Sequence, residues 1–250
     1  MRRDISKSVK DRFGGDISRR TNGHPIKATH ILITADEVGD LGKRAKFNGR
    51  GYRPSKIFGF GISIVQSPER FAEITEMHKK RKNIKGEFKA RKRSTFEKAV
   101  LAFKIRISRA RTYGIYIDKM KDVPKEWIEQ CGSDFQIRML WHILNMMIPR
   151  IRSDKIIVIV DDEGLYHDKN GIDLVEAMSN DLSRNHGTDV RCRTVGEESD
   201  EYFPQMETND LVARALYDRK ESKSPWASVI MGQRIVRLGA NDSIEKGDGL

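Results

Sequence analysis

Acidic residues recur in this chain where a strand ends or a helix opens. Asp36, Glu37 and Asp40 follow the apolar run Ile31, Leu32, Ile33 in ILITADEVGD, with Gly39 to turn the chain. Glu87 stands among lysines and arginines in IKGEFKA. Asp118 ends YGIYID, Asp161 and Asp162 end KIIVIVDD, and Asp210 lies near the start of the last helical segment, with Glu207 just before it. Each alone has an ordinary reading. Asp and Gly are turn residues, an acid in a helix's first turn is favoured by the dipole, and Glu87 can form a local ion pair. Four carboxylates from four separate elements, beside a basic surface, also make the donor set of two-metal phosphodiester hydrolysis. Like charges held together raise one another's pKa unless a cation sits between them. Mg²⁺ or Mn²⁺ is hard and takes oxygen ligands. Two such ions ~3.5–4 Å apart stabilise both the attacking and the leaving oxygen.

Other chemistries find less support. The six histidines form no HExxH or His-x-His pattern, which argues against a zinc enzyme. No GxxxxGK[ST] loop and no GxSxG elbow occurs, and GFG at 59–61 falls inside an expected strand. Phe58 and Phe60 read as core residues, with base stacking as the alternative for them and for Tyr52. Cys131 and Cys192 are the only cysteines and lack metal-type spacing. They read as small buried hydrophobes in a reducing, cytoplasmic setting.

The net charge of +11 resides in one segment. Residues 76–111 hold 14 Lys or Arg against three Glu, while the remaining residues carry 33 basic and 33 acidic side chains. Charge so concentrated suits a polyanion, through phosphate contacts and counterion release. Lys79, Lys80, Arg81, Lys82, Lys85, Lys89, Arg91, Lys92 and Arg93 are the expected nucleic-acid contacts, with DNA and RNA both open. A solvated basic face is the plainer reading, and an anionic membrane or an acidic protein is a further alternative. No apolar run approaches a membrane span. The N-terminal MRRDISKSVKDRFGG lacks the apolar stretch of a secretory signal.

Residues 1–27 read as a basic extension, 28–220 as one domain, and 221–250 as an extension with an edge strand at 229–238 and a loose tail. Strands are expected at 30–36, 57–65, 113–118, 155–162 and 189–195. The second should run antiparallel to the first. The uninterrupted apolar run of 155–162 is typical of a strand covered on both faces. Helices are expected at 68–78, 94–111, 133–147, 171–185 and 208–218. In 94–111, Ser94 and Glu97 form a capping box. There Phe96, Val100, Phe103 and Ile107 make one apolar stripe for a core, with Lys98, Arg106 and Arg109 off it. Val175, Met178 and Leu182 should face inward, with Gly187 as the stop. Strands first, then strands alternating with helices, imply an α/β mixed sheet flanked by helices.

The order of these elements resembles domain-of-unknown-function family 3800, for which an RNase-H-like fold is expected. The family opens on a hydrophobic strand ending Asp-Glu-Ser/Ala-Gly, here ITADEVG, with Val38 in place of the small residue. A Glu-x-Lys element follows as Glu87-Phe88-Lys89, then a strand ending in Asp as IIVIVDD. The closing helix begins Leu-Gln-x-Ala-Asp-Leu-Ile/Val-Ala in the family. Here it reads METNDLVARAL, with Glu207 for the Gln, Asn209 for the Ala, and Asp210 kept. The resemblance spans about residues 30–218. It implies that Asp36, Glu87, Asp161 and Asp210 are metal ligands and catalytic residues, with Asp36 bridging both ions. Asp118, Asp162 and Glu207 are alternates, and Glu37 is a turn or supporting residue. Lys89 would contact the scissile phosphate or pair with Glu87. The expected activity is nuclease-like phosphodiester hydrolysis with Mg²⁺ or Mn²⁺. The competing expectations are a non-catalytic nucleic-acid-binding module on an RNase-H-like scaffold, or an acid-rich pocket for a protein partner.

Overall fold

The computed structural model describes residues 30–39, 55–119, 121–122, 125–162, 174–196, 203–231 and 235–238. Its six strands are β1 (His30–Gly39), β2 (Ile57–Val65), β3 (Arg111–Asp118), β4 (Lys155–Asp162), β5 (Asp189–Gly196) and β6 (Ile235–Arg237). The helices are α1 (Pro68–Lys82), α2 (Thr95–Ile107), α3 (Lys125–Met147), α4 (Leu174–His186), α5 (Pro204–Glu221) and α6 (Ala227–Met231). One sheet runs in the order β5-β4-β1-β2-β3-β6. β1, β2 and β3 form an antiparallel meander, while β4 lies parallel to β1, β5 to β4 and β6 to β3. The chain is therefore α/β, a mixed sheet flanked by helices, and is consistent with an RNase-H-like fold.

Both faces of the sheet are covered, which is why β2 is buried at all nine positions. Phe58, Phe60, Ile62 and Ile64 face α3 and α4, together with Ile31, Ile33 and Ala35 of β1. Residues of the other parity, among them Leu32, Val38, Ile57, Ile157 and Ile159, face α1, α2, α5 and α6. Alternation with period two makes this division. Phe58 and Phe60 are thus core residues, and Cys192 is a buried free thiol. Tyr52 and residues 1–27 lie outside the described set.

Several elements differ from the sequence expectation. β1 does not stop at Asp36 but continues to Gly39, whose φ of 87° and close approach to the Ile57 carbonyl exclude a side chain. The helix expected at 208–218 begins at Pro204 and ends at Glu221. The edge strand expected at 229–238 is first helical, in α6, and then only the three residues of β6. Trp226, Ala227, Ile230 and Leu238 are buried, so the described part of 221–238 packs into the same body.

The largest correction concerns α2. Its capping box forms as expected between Ser94 and Glu97. The stripe Phe96, Val100, Phe103 and Ile107 faces outward, Phe96 at 78% and Ile107 at 63% exposure. The buried face is Lys98, Leu101, Ala102 and Ile105. Lys98 is not on a solvated flank. Its Nζ donates to Asp218 Oδ2 at 3.0 Å, Trp226 Nε1 donates to the same oxygen at 3.0 Å, and Arg214 pairs with Oδ1 at 2.6 Å. A polar network of this kind selects which face of the helix turns inward. Leu101→Ala is expected to destabilise the fold by about 2–5 kcal/mol, the range for a fully buried leucine. Phe103→Ser should stay within about 0.5 kcal/mol. Urea unfolding of the two variants checks this, and the reverse order of effects would return the stripe to the core.

Candidate functional site

Asp36 and Asp161 sit one step beyond the last paired residues of two neighbouring parallel strands, Ala35 of β1 and Val160 of β4. Neighbouring strands are ~4.8 Å apart. Asp36 shares parity with Leu32 and Val38, and Asp161 with Ile157 and Ile159, so both stand on the face covered by α5. Asp36 is buried and Asp161 half-buried.

The helix α5 crosses that face against Gly61, which pairs with Asp36 across β1 and β2. A Cβ on Gly61 would lie 2.4 Å from Ala213 Cα, so only glycine lets the helix backbone come this close. Asn209 locks the seat. Its Nδ2 donates to the Gly61 carbonyl at 3.0 Å and its Oδ1 accepts from Ser63 Oγ at 2.6 Å. Asn209 is therefore a clamp between helix and sheet. Asp210, the next residue, is held over the same end of the sheet.

The fourth acid arrives on the connection between α1 and α2. Phe88 is wholly buried and anchors this connection, with His78 edge-on at 6.0 Å and the Arg93 guanidinium 5.5 Å from its ring centre. The Phe88 N–H donates to Glu207 Oε1 at 3.0 Å, and the Ala90 N–H donates to Asp210 Oδ2 at 2.6 Å. Glu207 also pairs with Lys79 at 2.6 Å. Glu207, an alternate ligand by sequence, thus holds the connection and the end of α1 in place.

Glu87 and Lys89 flank Phe88 and pair with each other at 2.6 Å. Burial opposes the charge on Lys89, yet its pKa is raised, because the hydrogen bond and charge of Glu87 and the charges of Asp161 and Asp210 outweigh it. Lys89, Glu87, Asp161 and Asp210 therefore share one electrostatic neighbourhood. Burial pushes the Asp210 carboxyl above the usual carboxylate range, and Glu87 adds to this. The Ala90 N–H, Lys89 and Arg214 pull it down without prevailing.

That shift has a signed consequence. The folded state holds the Asp210 proton more tightly than the unfolded chain does. The penalty is present in full above the folded pKa and disappears below the ordinary carboxylate value of 3.8. Asp210→Asn, which keeps an oxygen for the Ala90 N–H, is expected to raise the melting temperature at pH 7 in EDTA. The gain should fade at about pH 4. Equal gains at the two pH values would remove burial of the charge as the cause.

The other candidates lie elsewhere. Glu37 points to the opposite face, where Gln136 donates to it at 3.0 Å. Asp118 stands on β3, two strands from Asp36 and four residues beyond the level of Gly114, roughly 16 Å away by strand spacing. It lies 4.0 Å from Lys121, and its N–H donates to Asp122. The Asp162 side chain and Asp40 fall outside the described set. Among the described residues, no three His, Cys, Asp or Glu side chains stand close enough together, as placed, to hold one metal ion.

Of the basic candidates, Lys80, Arg81, Lys82, Lys85, Arg91 and Lys92 are exposed. Lys79, Lys89 and Arg93 are engaged by Glu207, Glu87 and Phe88. Sequence reasoning missed Gly61, Ser63 and Asn209 as positioning residues. The available signal was the pair of glycines, Gly59 and Gly61, inside an otherwise bulky strand. No helix among the described residues is long and apolar enough to cross a membrane. The chain matches no family model and no curated protein.

Proposed function

We propose that the chain hydrolyses phosphodiester bonds of nucleic acid, with Asp36, Glu87, Asp161 and Asp210 as its acidic centre. The observation that carries this reading is the placement of Asp36 and Asp161 side by side, one step past the last paired residues of two adjacent parallel strands, under the helix that bears Asp210. The donor set is all carboxylate oxygen, which fits a hard divalent cation such as Mg²⁺ or Mn²⁺. The raised pKa of Asp210 is what a buried carboxyl shows when protein cations alone do not satisfy it. Asp36, Asp161 and Asp210 would hold the ions, with Glu87 from the neighbouring connection. Bound there, they would activate a water and stabilise the leaving oxygen. Lys89, beside Glu87, is the chain's own cation for a phosphate oxygen. The exposed lysines and arginines of 80–92 are suited to backbone phosphates, which carry no sequence information.

A second reading is a binding module without activity. It is favoured by Lys89, whose ammonium already offsets Glu87, Asp161 and Asp210 without a metal. End-labelled DNA and RNA, incubated with Mg²⁺, with Mn²⁺ and with EDTA, decide between them. Cleavage that EDTA abolishes supports the enzyme. Binding of the strand with no cleavage in either metal supports the module.

A further inference from the structure

At the other end of the sheet, on the other face, four arginines surround one cleft of about 340 Å³. Arg109 and Arg111 come from the turn into β3, and Arg150 and Arg152 from the turn after α3. All four are exposed at the rim. The floor is Ile31, Ile64 and Met147, all buried, with Tyr113 on one wall. None of the described residues that line the cleft is acidic. Arg109 also takes the left-handed position just past α2, φ 65°, where glycine is the usual residue. Ile31 is five residues before Asp36 on β1, roughly 17 Å along the strand, and has the opposite parity. The cleft is therefore separate from the acidic centre.

Arg109, Arg111 and Arg152 bring like charges to one concave surface whose described lining holds no carboxylate, and like charges brought together repel. Guanidinium forks match the paired oxygens of phosphate. The apolar floor suits a flat, weakly polar body, and the volume lies in the range of small-ligand sites, ~300–1,000 Å³. We infer that this cleft binds a nucleotide, with its phosphate on the arginine rim and its base over Ile31, Ile64 and Met147. A free nucleotide and the terminal nucleotide of a nucleic-acid strand offer this same chemistry. The inference does not depend on cleavage at the acidic centre.

The test is calorimetric titration of the full chain in EDTA, where no metal-dependent cleavage occurs. The probes are AMP, adenosine, inorganic phosphate, and one short oligonucleotide with a 5′-phosphate or a 5′-hydroxyl. AMP should bind at least about tenfold more tightly than adenosine or phosphate, since each lacks one half of the recognition. The Arg111→Ala/Arg152→Ala double variant should lose at least about tenfold in AMP affinity, and the corresponding Lys variants should recover only part of it. Lys56→Ala/Lys121→Ala, at the opposite ends of β2 and β3 from the cleft, should change it less than twofold. Melting temperatures of the arginine variants should hold or rise, because repulsion is relieved. Tighter binding of the 5′-phosphorylated strand than of AMP, with the same arginine dependence, assigns the cleft to a strand terminus. Binding no tighter than AMP assigns it to the free nucleotide. No AMP binding, unchanged affinity in the arginine double variant, or displacement of AMP by polyglutamate at equal charge would overturn the inference.

Discussion

Asp36→Asn is expected to lower cleavage by at least about a thousandfold, equivalent to about 4 kcal/mol of transition-state stabilisation, while leaving nucleic-acid binding in EDTA equal or tighter. The substitution keeps the size of a buried side chain next to Asp161 and removes only its charge. A divalent ion at these carboxylates would lose an anionic ligand. A strand phosphate would lose one repulsive neighbour. Stability in EDTA should hold or rise, since Asp36 and Asp161 stand on neighbouring strands and like charges oppose one another. The check is a cleavage rate, a binding isotherm and a melting temperature on the same preparations, with and without Mg²⁺. The proposed activity fails if Asp36→Asn cleaves as fast as the parent. It also fails if Mg²⁺ raises both melting temperatures equally. Either result would leave the binding module in possession.

Asp218→Ala should destabilise the fold by about 3–5 kcal/mol, the range for removing one partner of a buried ion pair. For a chain of this size that is a fall of roughly 10 °C in melting temperature. Asp218 is 5% exposed and receives Lys98, Arg214 and the Trp226 indole together. Its loss leaves Lys98, itself 7% exposed, without its anionic partner between α2, α5 and α6. Lys98→Met in the Asp218→Ala background should recover part of the loss, because an apolar side chain of similar length removes the stranded charge. A loss below about 1 kcal/mol for Asp218→Ala would mean that water reaches Lys98 and that the network is not a determinant of packing.

Two of the acids were readable because strands are readable. An apolar run of β-branched residues followed by a carboxylate places that carboxylate on a strand towards its C-terminal end, although β1 runs on past Asp36 to Gly39. Asp36 and Asp161 could be named on that ground, Asp210 by its place near the expected start of a helix, and Glu87 by its isolation among bases. Their grouping could not. It depends on β4 lying parallel beside β1 and on the choice of face. The choice between Asp161 and Asp118 likewise depends on strand order, which sets one carboxylate beside Asp36 and the other two strands away. The arginine cleft joins residues about forty positions apart and has no local signature at all.

What the sequence by itself determined was the type and position of most elements: the strands, the capping box of α2, the inward face of α4 and the α/β class. Local periodicity and cap chemistry suffice for these, because they depend on neighbours a few residues away. What only the tertiary structure decided was which face of α2 is buried. That helix carries two apolar stripes, Phe96-Val100-Phe103-Ile107 and Leu101-Ala102-Ile105, and the larger one is outside. Periodicity is satisfied by either. The smaller stripe includes Lys98, and burying it becomes favourable only because Asp218, 120 residues later, arrives beside it with Trp226. A long-range partner of that kind changes the sign of a buried lysine's contribution, and no window of local sequence contains it.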